Sequence, residues 1–380
     1  MGKKIVIASD SFKGSASSKE VGTYISEGIH SLYPDYETKI FSIADGGEGT
    51  VDAILEVNQG KRVTIPVQGP LGDSVNAAYA IIDGGKTAIL EMAAASGITL
   101  VEPTALDVMK ASTYGTGQMI KSALEHGVER IYIGIGGSAT NDGGMGMAAA
   151  LGVKFFDVQG KELAANAENL GSIASLDATA IASYADTAEL IILSDVINPL
   201  CGSNGATAIY GPQKGVSDEL LEVLDEGLAN FARVIKETLH KDIKDIPGAG
   251  AAGGLGAGLM AFLNGKCQRG IDKILQMIHI EEDIKTADLV ITGEGRMDGQ
   301  SINGKAPIGI AVIAQKYHVP TVAIVGSRSL DLDEVYRQGI AGVFDVVNRP
   351  MNLEEAMTDT RNLVASTSRN LISLFGTLTK

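Results

Sequence analysis

The sequence predicts an α/β protein of two domains, one of which contains a parallel sheet. Three observations carry this prediction. The chain has 380 residues, which exceeds the size at which a single hydrophobic core stops growing. Apolar strand-like runs alternate with helix-like segments near both ends of the chain, as in parallel sheets. Between them lies a region with a hairpin signal, which is typical of antiparallel strands.

The first sixty residues open as two strand–helix pairs. The apolar run at 4–8 predicts a buried strand, and Ser17 with Glu20 three residues later is a capping-box signature for the helix that follows. A second strand is predicted at 38–44 and a second helix up to about Val57. Polar, glycine-containing turns follow both strands, and ligands bind at this end of the strands in doubly wound sheets.

The pattern changes near residue 60. Strands are predicted at 62–67 and within 76–92, where Asp83-Gly84-Gly85 is a probable hairpin turn between two apolar runs. Later elements of this region are a helix at 115–126, strands at 131–135, 153–156, 190–194 and 207–210, an amphipathic helix from Leu220 to Leu239, and a glycine-rich turn at 247–256 that opens a helix.

The strand–helix alternation returns after Asp288. Two strands near the N-terminus cannot form a stable doubly wound sheet alone, but together with three C-terminal strands they can. We therefore predict a discontinuous Rossmann-like domain, residues 1–60 plus 285–380, with a mixed α/β domain, residues 61–284, inserted into it. The predicted C-terminal elements are strands at 289–292, 321–326 and 343–347 and a helix at 353–375.

Composition indicates a small-molecule partner. The chain carries 31 Lys and Arg against 46 Asp and Glu, a net charge of −15, which argues against binding to nucleic acid or to an anionic membrane surface. The N-terminus enters a strand directly and has no signal-peptide pattern, and the uncharged stretch 248–265 has too many Gly and Ala residues for a membrane span. Only two cysteines occur, Cys201 and Cys267, so we expect a reduced, cytoplasmic setting.

Glycine-rich turns with polar residues follow most predicted strands. The longest runs from Gly136 to Gly144 after the strand at 131–135. Without Cβ atoms such a backbone can bring its N–H groups close to phosphate oxygens, and Ser138, Thr140 and Asn141 add side-chain donors. One such turn alone is often structural, whereas six or seven together predict a cleft for a charged small molecule.

Two nucleotide-binding patterns overlap these turns. Gly134-x-Gly136-x-x-Ala139 follows a strand and Asp157 ends the next one, as in dinucleotide-binding units. This match keeps open an NAD(P)-dependent oxidoreductase acting on a small hydroxy acid. Against it, the following helix would begin through Asn141-Asp142-Gly143-Gly144, which are poor helix formers.

A second pattern, at 299–306, matches GxxxxGK. It has Ala306 where a P-loop needs Ser or Thr to hold magnesium, and it does not directly follow its strand, so we interpret it as a coincidence of spacing. Lys305 stays a candidate phosphate ligand. A third hypothesis is a non-catalytic sensor of a sugar acid.

The turns contain the groups that phosphoryl transfer requires. These are carboxylates for Mg²⁺, cations and N–H groups for phosphates, and one group that orients the attacking hydroxyl. The five histidines lie outside the turns, which disfavours a His-based hydrolase or a zinc enzyme. The carboxylates are Asp10, Asp45, Glu48 and Asp195, and the cations are Lys13, Lys214, Arg296 and Lys305.

Taken together, the turns resemble the bacterial glycerate kinase family of the glycerate-utilisation type. The resemblance implies ATP- and Mg²⁺-dependent phosphorylation of D-glycerate, commonly at the 2-hydroxyl, by a two-domain α/β protein with one Rossmann-like domain. Two departures are visible, Ser9 in place of Pro and Ile197 in place of Thr. The motifs, in order, are DSFKGS at 10–15, DGGEGT at 45–50, GIGGSATNDGG at 134–144, DVINPLCG at 195–202, GPQKG at 211–215, GAGAAGGLGAG at 248–258 and TGEGRMDGQS at 292–301.

The resemblance brings no residue-by-residue mechanism, so we assign roles from chemistry, in a site expected between the domains. Arg296 is the best bidentate partner for the glycerate carboxylate. Asp195 is our candidate for orienting the attacking hydroxyl, with Asp45 as competitor. The candidate sets are as follows: catalytic Asp195, Asp45, Lys13 and Arg296; substrate-binding Asp10, Ser11, Arg296, Asp298, Gln300, Ser301 and Asn198; phosphate-binding Gly136, Gly137, Ser138, Thr140, Asn141, Lys214, Gly250, Gly253 and Lys305; metal-binding Asp45, Glu48 and Asp142.

Overall fold

The computed structural model describes residues 2–44, 46–103, 106–299 and 305–379. Its strands are β1 (Lys4–Ser9), β2 (Glu37–Ile40), β3 (Gly60–Gln68), β4 (Ser74–Ile82), β5 (Thr87–Glu91), β6 (Arg130–Gly134), β7 (Lys154–Phe156), β8 (Ser175–Asp177), β9 (Glu189–Leu193), β10 (Lys266–Gln268), β11 (Leu289–Met297), β12 (Thr321–Arg328) and β13 (Ile340–Asp345). Its helices are α1 (Ser18–His30), α2 (Thr50–Val57), α3 (Ala93–Ser96), α4 (Tyr114–Glu125), α5 (Met145–Ala150), α6 (Ala182–Ala185), α7 (Ala206–Tyr210), α8 (Asp218–Leu239), α9 (Leu255–Leu263), α10 (Gly270–Met277), α11 (Ile280–Ile284), α12 (Ala306–Lys316), α13 (Asp333–Arg337), α14 (Leu353–Thr358) and α15 (Thr360–Leu378).

The chain divides into two compact units. The first comprises Met1–Asp45, Asp52–Val57 and Ile271–Lys380, and the second comprises Gly46–Val51 and Asn58–Gly270. The boundaries at residues 60 and 285, which the sequence analysis gives for two domains, stay a prediction. The structure adds that the short segment Gly46–Val51 packs with the second unit, although it follows β2 of the first.

The first unit is built on a five-stranded sheet in the order β13-β12-β11-β1-β2, and all neighbouring strands are parallel. β1 and β11 are two of its three inner strands and are almost wholly buried. The chain moves to one side of the sheet after β1 and to the other side after β11, so the strand order reverses between them. In doubly wound sheets ligands bind at this reversal, beyond the carboxyl ends of the two strands.

The capping box predicted at the start of α1 is present. Glu20 donates its backbone N–H to the Ser17 hydroxyl, and the Glu20 carboxylate accepts the backbone N–H of Ser17 at 2.8 Å. α1 lies close against α15, since a Cβ on Gly28 would lie 2.3 Å from the carbonyl oxygen of Ala365. The first helix and the last therefore pack together in one unit.

The second unit is built on a six-stranded mixed sheet in the order β10-β9-β6-β5-β4-β3. β3, β4 and β5 are antiparallel, whereas β5, β6, β9 and β10 run parallel. The predicted hairpin turn between β4 and β5 is confirmed, and Gly84 and Gly85 have φ of +65° and +100° there. The predicted fold class, a parallel Rossmann-like sheet beside a mixed α/β unit, is also confirmed.

Two element predictions were wrong. Residues 207–210 form helix α7, not a strand, because a short apolar run with β-branched and aromatic residues cannot be assigned by periodicity alone. Here Thr207 is fully buried and accepts a hydrogen bond from the side-chain amide of Asn141 at 3.0 Å. The predicted final helix is divided into two helices, α14 and α15, which are separated by Asp359. Asp359 lies between Thr358 and Thr360, and all three residues are poor helix formers.

No helix in the described part of the chain is both long enough and apolar enough to cross a membrane. The stretch 248–265, rejected above as a span, contains the nine-residue helix α9, whose residues are all buried within the second unit.

Candidate active site

The turn after β1 lies at the strand reversal of the first unit. The backbone N–H of Asp10 donates to the carbonyl of Gly293 in β11 at 2.9 Å, and the Asp10 carboxylate accepts the N–H of Ser11 at 2.6 Å. Lys13 follows with an exposed side chain. The structure therefore brings three of the predicted residues to the end of β1, next to β11.

β11 continues beyond the end of β1. Its pairing with β1 ends at Ser9 opposite Gly293, whereas its pairing with β12 continues to Met297 opposite Arg328. Glu294 and Arg296 lie two residues apart on this extension, so their side chains project from the same face of the strand. A carboxylate and a guanidinium thus share one face at the binding edge of the sheet.

Glu294 and Arg296 differ sharply in their surroundings. The Glu294 side chain is only 8% exposed, and its Oε2 accepts a hydrogen bond from Lys305 Nζ at 2.8 Å. Its other oxygen, Oε1, is buried and has no hydrogen-bond partner among the residues that the structure describes. The Arg296 side chain is 74% exposed, with Nε 3.7 Å from the Asp298 carboxylate. Lys305 thus compensates the charge of Glu294. Two further residues predicted to bind substrate, Gln300 and Ser301, lie outside the described residues.

The turn after β6 presents three consecutive backbone N–H groups, those of Gly136, Gly137 and Ser138. No acceptor for them is found among the residues described. Neighbouring backbone bonds hold the turn, because Ile98 N–H donates to the carbonyl of Gly137 at 2.8 Å and Ala139 N–H donates to that of Ser96 at 3.0 Å. Gly136 and Gly137 are exposed, and Gly137 has φ of +74°. Consecutive free N–H groups in such a turn form a nest that binds anions.

Lys214 supports this turn from the inside of the second unit. It is 2% exposed, and its Nζ donates to the Ser138 hydroxyl and to the Thr140 carbonyl, both at 2.7 Å. Burial lowers the pKa of Lys214 to about 7, against an opposing effect of the nearby Asp142 carboxylate. The Lys214 side chain therefore supports the anion turn from within. It is buried, whereas the predicted direct phosphate contact requires an amino group that is exposed to solvent.

We expect Lys214 to make stability depend on pH. In the unfolded chain this lysine keeps its proton up to about pH 10.5, whereas in the folded chain it loses the proton near pH 7. Between these values the unfolded state binds more protons, so the free energy of unfolding rises with pH. Between pH 7 and about 8.5 the rise should reach at most about 1.4 kcal/mol per pH unit.

Chemical denaturation across this pH range measures the effect. Lys214→Met removes the titrating group, and we expect it to remove most of the slope, whatever its effect on absolute stability. An equal slope in both proteins would show that Lys214 remains protonated in the folded chain. Exposed Lys110→Met, which loses a surface pair with Asp107, is the control and should keep the wild-type slope.

Asp142 is a structural hub and not an open metal ligand. It is fully buried, and its carboxylate accepts hydrogen bonds from Thr113 N–H and hydroxyl at 2.8 Å each, from Gly144 N–H at 3.0 Å and from Gly146 N–H at 3.1 Å. Burial raises the pKa of Asp142, and these four donors oppose the rise. Three of the four donors bind Oδ2 and one binds Oδ1, within a fully buried site, so we replace the predicted metal role with a structural one.

Four other residues that were predicted to bind phosphate also lie in the packed interior. Thr140 and Asn141 are fully buried, and Thr140 Oγ1 and Asn141 Oδ1 lack a hydrogen-bond partner among the described residues. A Cβ on Gly250 would lie 2.2 Å from the carbonyl oxygen of Pro199, and one on Gly253 would lie 2.0 Å from that of Thr140. These two glycines permit close backbone packing, which explains them without a phosphate.

Asp195 follows β9, beside the turn after β6. Its side chain is 21% exposed, and its Oδ1 lies 3.9 Å from Nε of Arg269, which follows the neighbouring strand β10. Asn198 is held on both sides, since its amide donates to the carbonyl of Asn204 and its Oδ1 accepts from the Tyr210 hydroxyl, both at 2.8 Å. A partly exposed carboxylate near a guanidinium therefore stands at this strand end.

One carboxylate, that of Glu48, belongs to the segment Gly46–Val51, and a second, that of Glu91, contacts the segment. Glu48 is exposed, whereas Glu91, at the end of β5, is buried and accepts the backbone N–H of Val51 at 2.6 Å. Burial raises the pKa of Glu91, the backbone N–H groups of Val51 and Gly49 oppose this rise, and Glu48 adds a smaller raising effect. Within the described ranges no three His, Cys, Asp or Glu side chains form a metal-binding group. Asp45 lies outside the described residues.

The dinucleotide pattern does not form the βαβ unit that it requires. The strand after α5 is β7, which pairs antiparallel with β8 in a separate small sheet, whereas β6 is flanked by β5 and β9. Asp157 lies in a tight turn, where its Oδ1 accepts the N–H groups of Gln159 and Lys161 at 2.8 and 2.9 Å. Asp157, the acid that the pattern assigns to the ribose, therefore does not lie at the end of a strand next to β6.

Three polar residues at strand ends were missed by the sequence analysis, namely Glu294, Arg269 and Glu91. Glu294 lies inside the motif TGEGRMDGQS, and a longer predicted β11 would have placed it on the face of Arg296. Arg269 follows β10, a three-residue strand too short to predict. Glu91 ends an apolar run, and only the three-dimensional structure shows that it contacts Val51.

A small-molecule kinase requires an anion-binding turn, carboxylates and cations, and these groups lie here at the carboxyl ends of parallel strands. The model of the glycerate kinase family matches residues 5–376. Glycerate 2-kinase of Escherichia coli strain K12 is 46% identical over 97% of both chains, and glycerate kinase of Halalkalibacterium halodurans is 45% identical over 97% of both. A crystal structure from Salmonella typhimurium LT2, provisionally named glycerate kinase 2, superposes with a TM-score of 0.85 at 43% identity and full coverage of both chains. The chain belongs to the glycerate kinase family and is a kinase.

Proposed function

We propose that the protein transfers the γ-phosphoryl group of ATP to the 2-hydroxyl of D-glycerate, giving 2-phosphoglycerate and ADP. The observation that carries the nucleotide part is the nest formed by the N–H groups of Gly136, Gly137 and Ser138, for which the described part of the chain offers no acceptor, with Lys214 bonded to the same turn. The relative from Escherichia coli is named glycerate 2-kinase, which supports the choice of hydroxyl. No comparison supports an oxidoreductase.

The glycerate carboxylate is assigned to Arg296. This guanidinium is largely exposed, and its pairing distance of 3.7 Å to Asp298 is loose enough to exchange for a bidentate contact with a substrate. Asp10 and Ser11 stand at the end of the neighbouring strand β1. Asn198, Asp298, Gln300 and Ser301 stay candidates for further contacts.

The attacking hydroxyl is assigned to Asp195. The hydroxyl oxygen forms the bond to the γ-phosphorus, the bond from that phosphorus to the β–γ bridging oxygen breaks, and the hydroxyl proton passes to the carboxylate. Asp45 stays the competitor for this role. Lys13 is exposed and is assigned to the negative charge on the transferred group, and Lys305 stays a candidate.

Mg²⁺ is proposed to accompany ATP, with Glu48 as its protein ligand and Asp45 as a further candidate. Glu48 is exposed and lies near the Glu91 carboxylate, so a cation would relieve the repulsion between them. Mg²⁺ is commonly held by one or two carboxylates together with substrate phosphates, so no cage of protein ligands is required. When bound, it would neutralise charge on the β- and γ-phosphates.

The test is one assay with two readouts. We expect ADP release in the presence of ATP, Mg²⁺ and D-glycerate, and no formation of NADH or NADPH when ATP is replaced by the oxidised nicotinamide cofactors. Phosphorus NMR of the product distinguishes 2-phosphoglycerate from 3-phosphoglycerate. Release of 3-phosphoglycerate would contradict the regiochemistry, and reduction of the nicotinamide cofactor would revive the oxidoreductase hypothesis. Binding of D-glycerate without either reaction would favour a sensor.

We also propose a cytoplasmic location with small-molecule partners. Both cysteines are free thiols, and a reduced compartment that supplies ATP fits this state. The net charge of −15 disfavours nucleic-acid partners.

A further inference from the structure

Glu294 carries a hydrogen-bonding capacity that the described protein does not use. Its carboxylate lies at the carboxyl end of β11, at the strand reversal of the first unit. Oε2 is paired with Lys305 Nζ at 2.8 Å, whereas Oε1 is buried and has no partner. An unpaired carboxylate oxygen that is shielded from water is costly, so such atoms are normally satisfied by a donor. The position of Glu294 at a binding edge indicates that the donor comes from a ligand.

The surroundings of Glu294 select a neutral donor. Lys305 already supplies one positive charge at 2.8 Å, and Arg296 supplies another on the same strand face. A further cation would be repelled by both. A hydroxyl group, in contrast, can donate to Oε1 without adding charge, and a hydrogen bond to a charged acceptor is stronger than one to a neutral acceptor.

We propose that Glu294 Oε1 accepts a hydrogen bond from the 3-hydroxyl of D-glycerate, the hydroxyl that is not phosphorylated. This assignment rests on the proposed function, in which Asp195 takes the 2-hydroxyl and Arg296 takes the carboxylate. Glu294 and Arg296 lie two residues apart, which places their Cα atoms about 6.6 Å from each other along the strand. Two points of a three-carbon acid are therefore recognised from one strand, and Glu294 becomes a specificity-determining residue.

The test compares D-glycerate with D-lactate, which has the same carboxylate and 2-hydroxyl but lacks the 3-hydroxyl. A site that binds a hydroxyl through a buried polar group discriminates strongly against the analogue without it. We expect the wild-type kcat/KM to favour D-glycerate by about 100-fold or more. In Glu294→Gln the preference should fall by about tenfold, because a neutral acceptor replaces a charged one. The loss should lie in KM for D-glycerate, with little change for D-lactate.

Two further variants make the result decisive. Glu281→Gln, in the same unit, alters a partly exposed carboxylate that accepts the Tyr317 hydroxyl at 2.7 Å and pairs with Lys316 at 3.8 Å, and it should keep the wild-type preference. Glu294→Asp keeps the charge but withdraws the acceptor by one carbon, and it should lower the preference too. It decides the question if Glu294→Gln fails to fold by circular dichroism.

The assignment is overturned if the Glu294 variants lose activity equally with both acids, since that pattern reports a structural role or contact with the reacting hydroxyl. An unchanged preference in the variants overturns it as well. Failure of the proposed function is visible separately, because the wild-type chain would then release no ADP with D-glycerate, and this would remove both assignments.

Discussion

Asp195→Asn is expected to lower kcat for D-glycerate by about 10²- to 10⁴-fold, the usual contribution of a general base. Asparagine keeps the size of the side chain but cannot take the proton from the attacking hydroxyl. KM for ATP should change little, because the nest at Gly136–Ser138 does not involve this carboxylate. Steady-state kinetics with ADP release as the readout measure both parameters.

Asp45→Asn and Asp157→Asn complete this experiment. A near-normal kcat in Asp195→Asn together with a large loss in Asp45→Asn would transfer the role to Asp45. Asp157 also follows a strand of the second unit, but its carboxylate accepts only turn N–H groups, so Asp157→Asn should leave kcat and KM unchanged. Because Asp157 completes the dinucleotide pattern, that control also tests the pattern.

The fold was predictable where the apolar pattern was continuous. β1 and β11 are inner strands of a parallel sheet, buried on both faces, and such strands appear in the sequence as unbroken apolar runs. The joining of N-terminal and C-terminal strands into one sheet followed from strand number. Where the run was short, as at 207–210, local residue preferences favoured a strand, whereas the chain forms helix α7, in which Thr207 is buried and accepts a hydrogen bond from Asn141.

The candidate site was predictable in its chemistry but not in its orientation. The turns after β1, β6 and β9 place polar residues at the carboxyl ends of parallel strands, and such turns lie at the binding edge of a sheet. The motifs at 211–215 and 248–258 follow helices α7 and α8 instead, and the roles of the site residues stay predictions. The motifs could not show which side chains face inward. Lys and Asp are residue types that commonly bind phosphate and metal ions, yet Lys214 and Asp142 are both buried and form hydrogen bonds within the protein. Burial of this kind depends on long-range packing, such as the approach of Thr113 to Asp142.

The same packing makes Asp142 a residue whose loss should lower stability strongly. Asp142→Asn is expected to lower the free energy of unfolding by about 2–4 kcal/mol. The amide supplies one acceptor oxygen and places an NH₂ group where donors already point, so at least one of the groups on Thr113, Gly144 and Gly146 loses its partner. Urea denaturation at neutral pH measures the change.

Asp177→Asn is the matched control for this substitution. Its carboxylate also accepts a backbone N–H and a hydroxyl, both from Thr179, but on an exposed turn, so the expected loss is below about 1 kcal/mol. The activity of Asp142→Asn separates the two roles considered for this residue. A structural hub predicts that stability falls first and that KM for ATP rises through a loosened turn. Unchanged stability with a weaker response to Mg²⁺ would instead return Asp142 to the metal site, because a ligand that contacts only the ion can be lost without unfolding the turn.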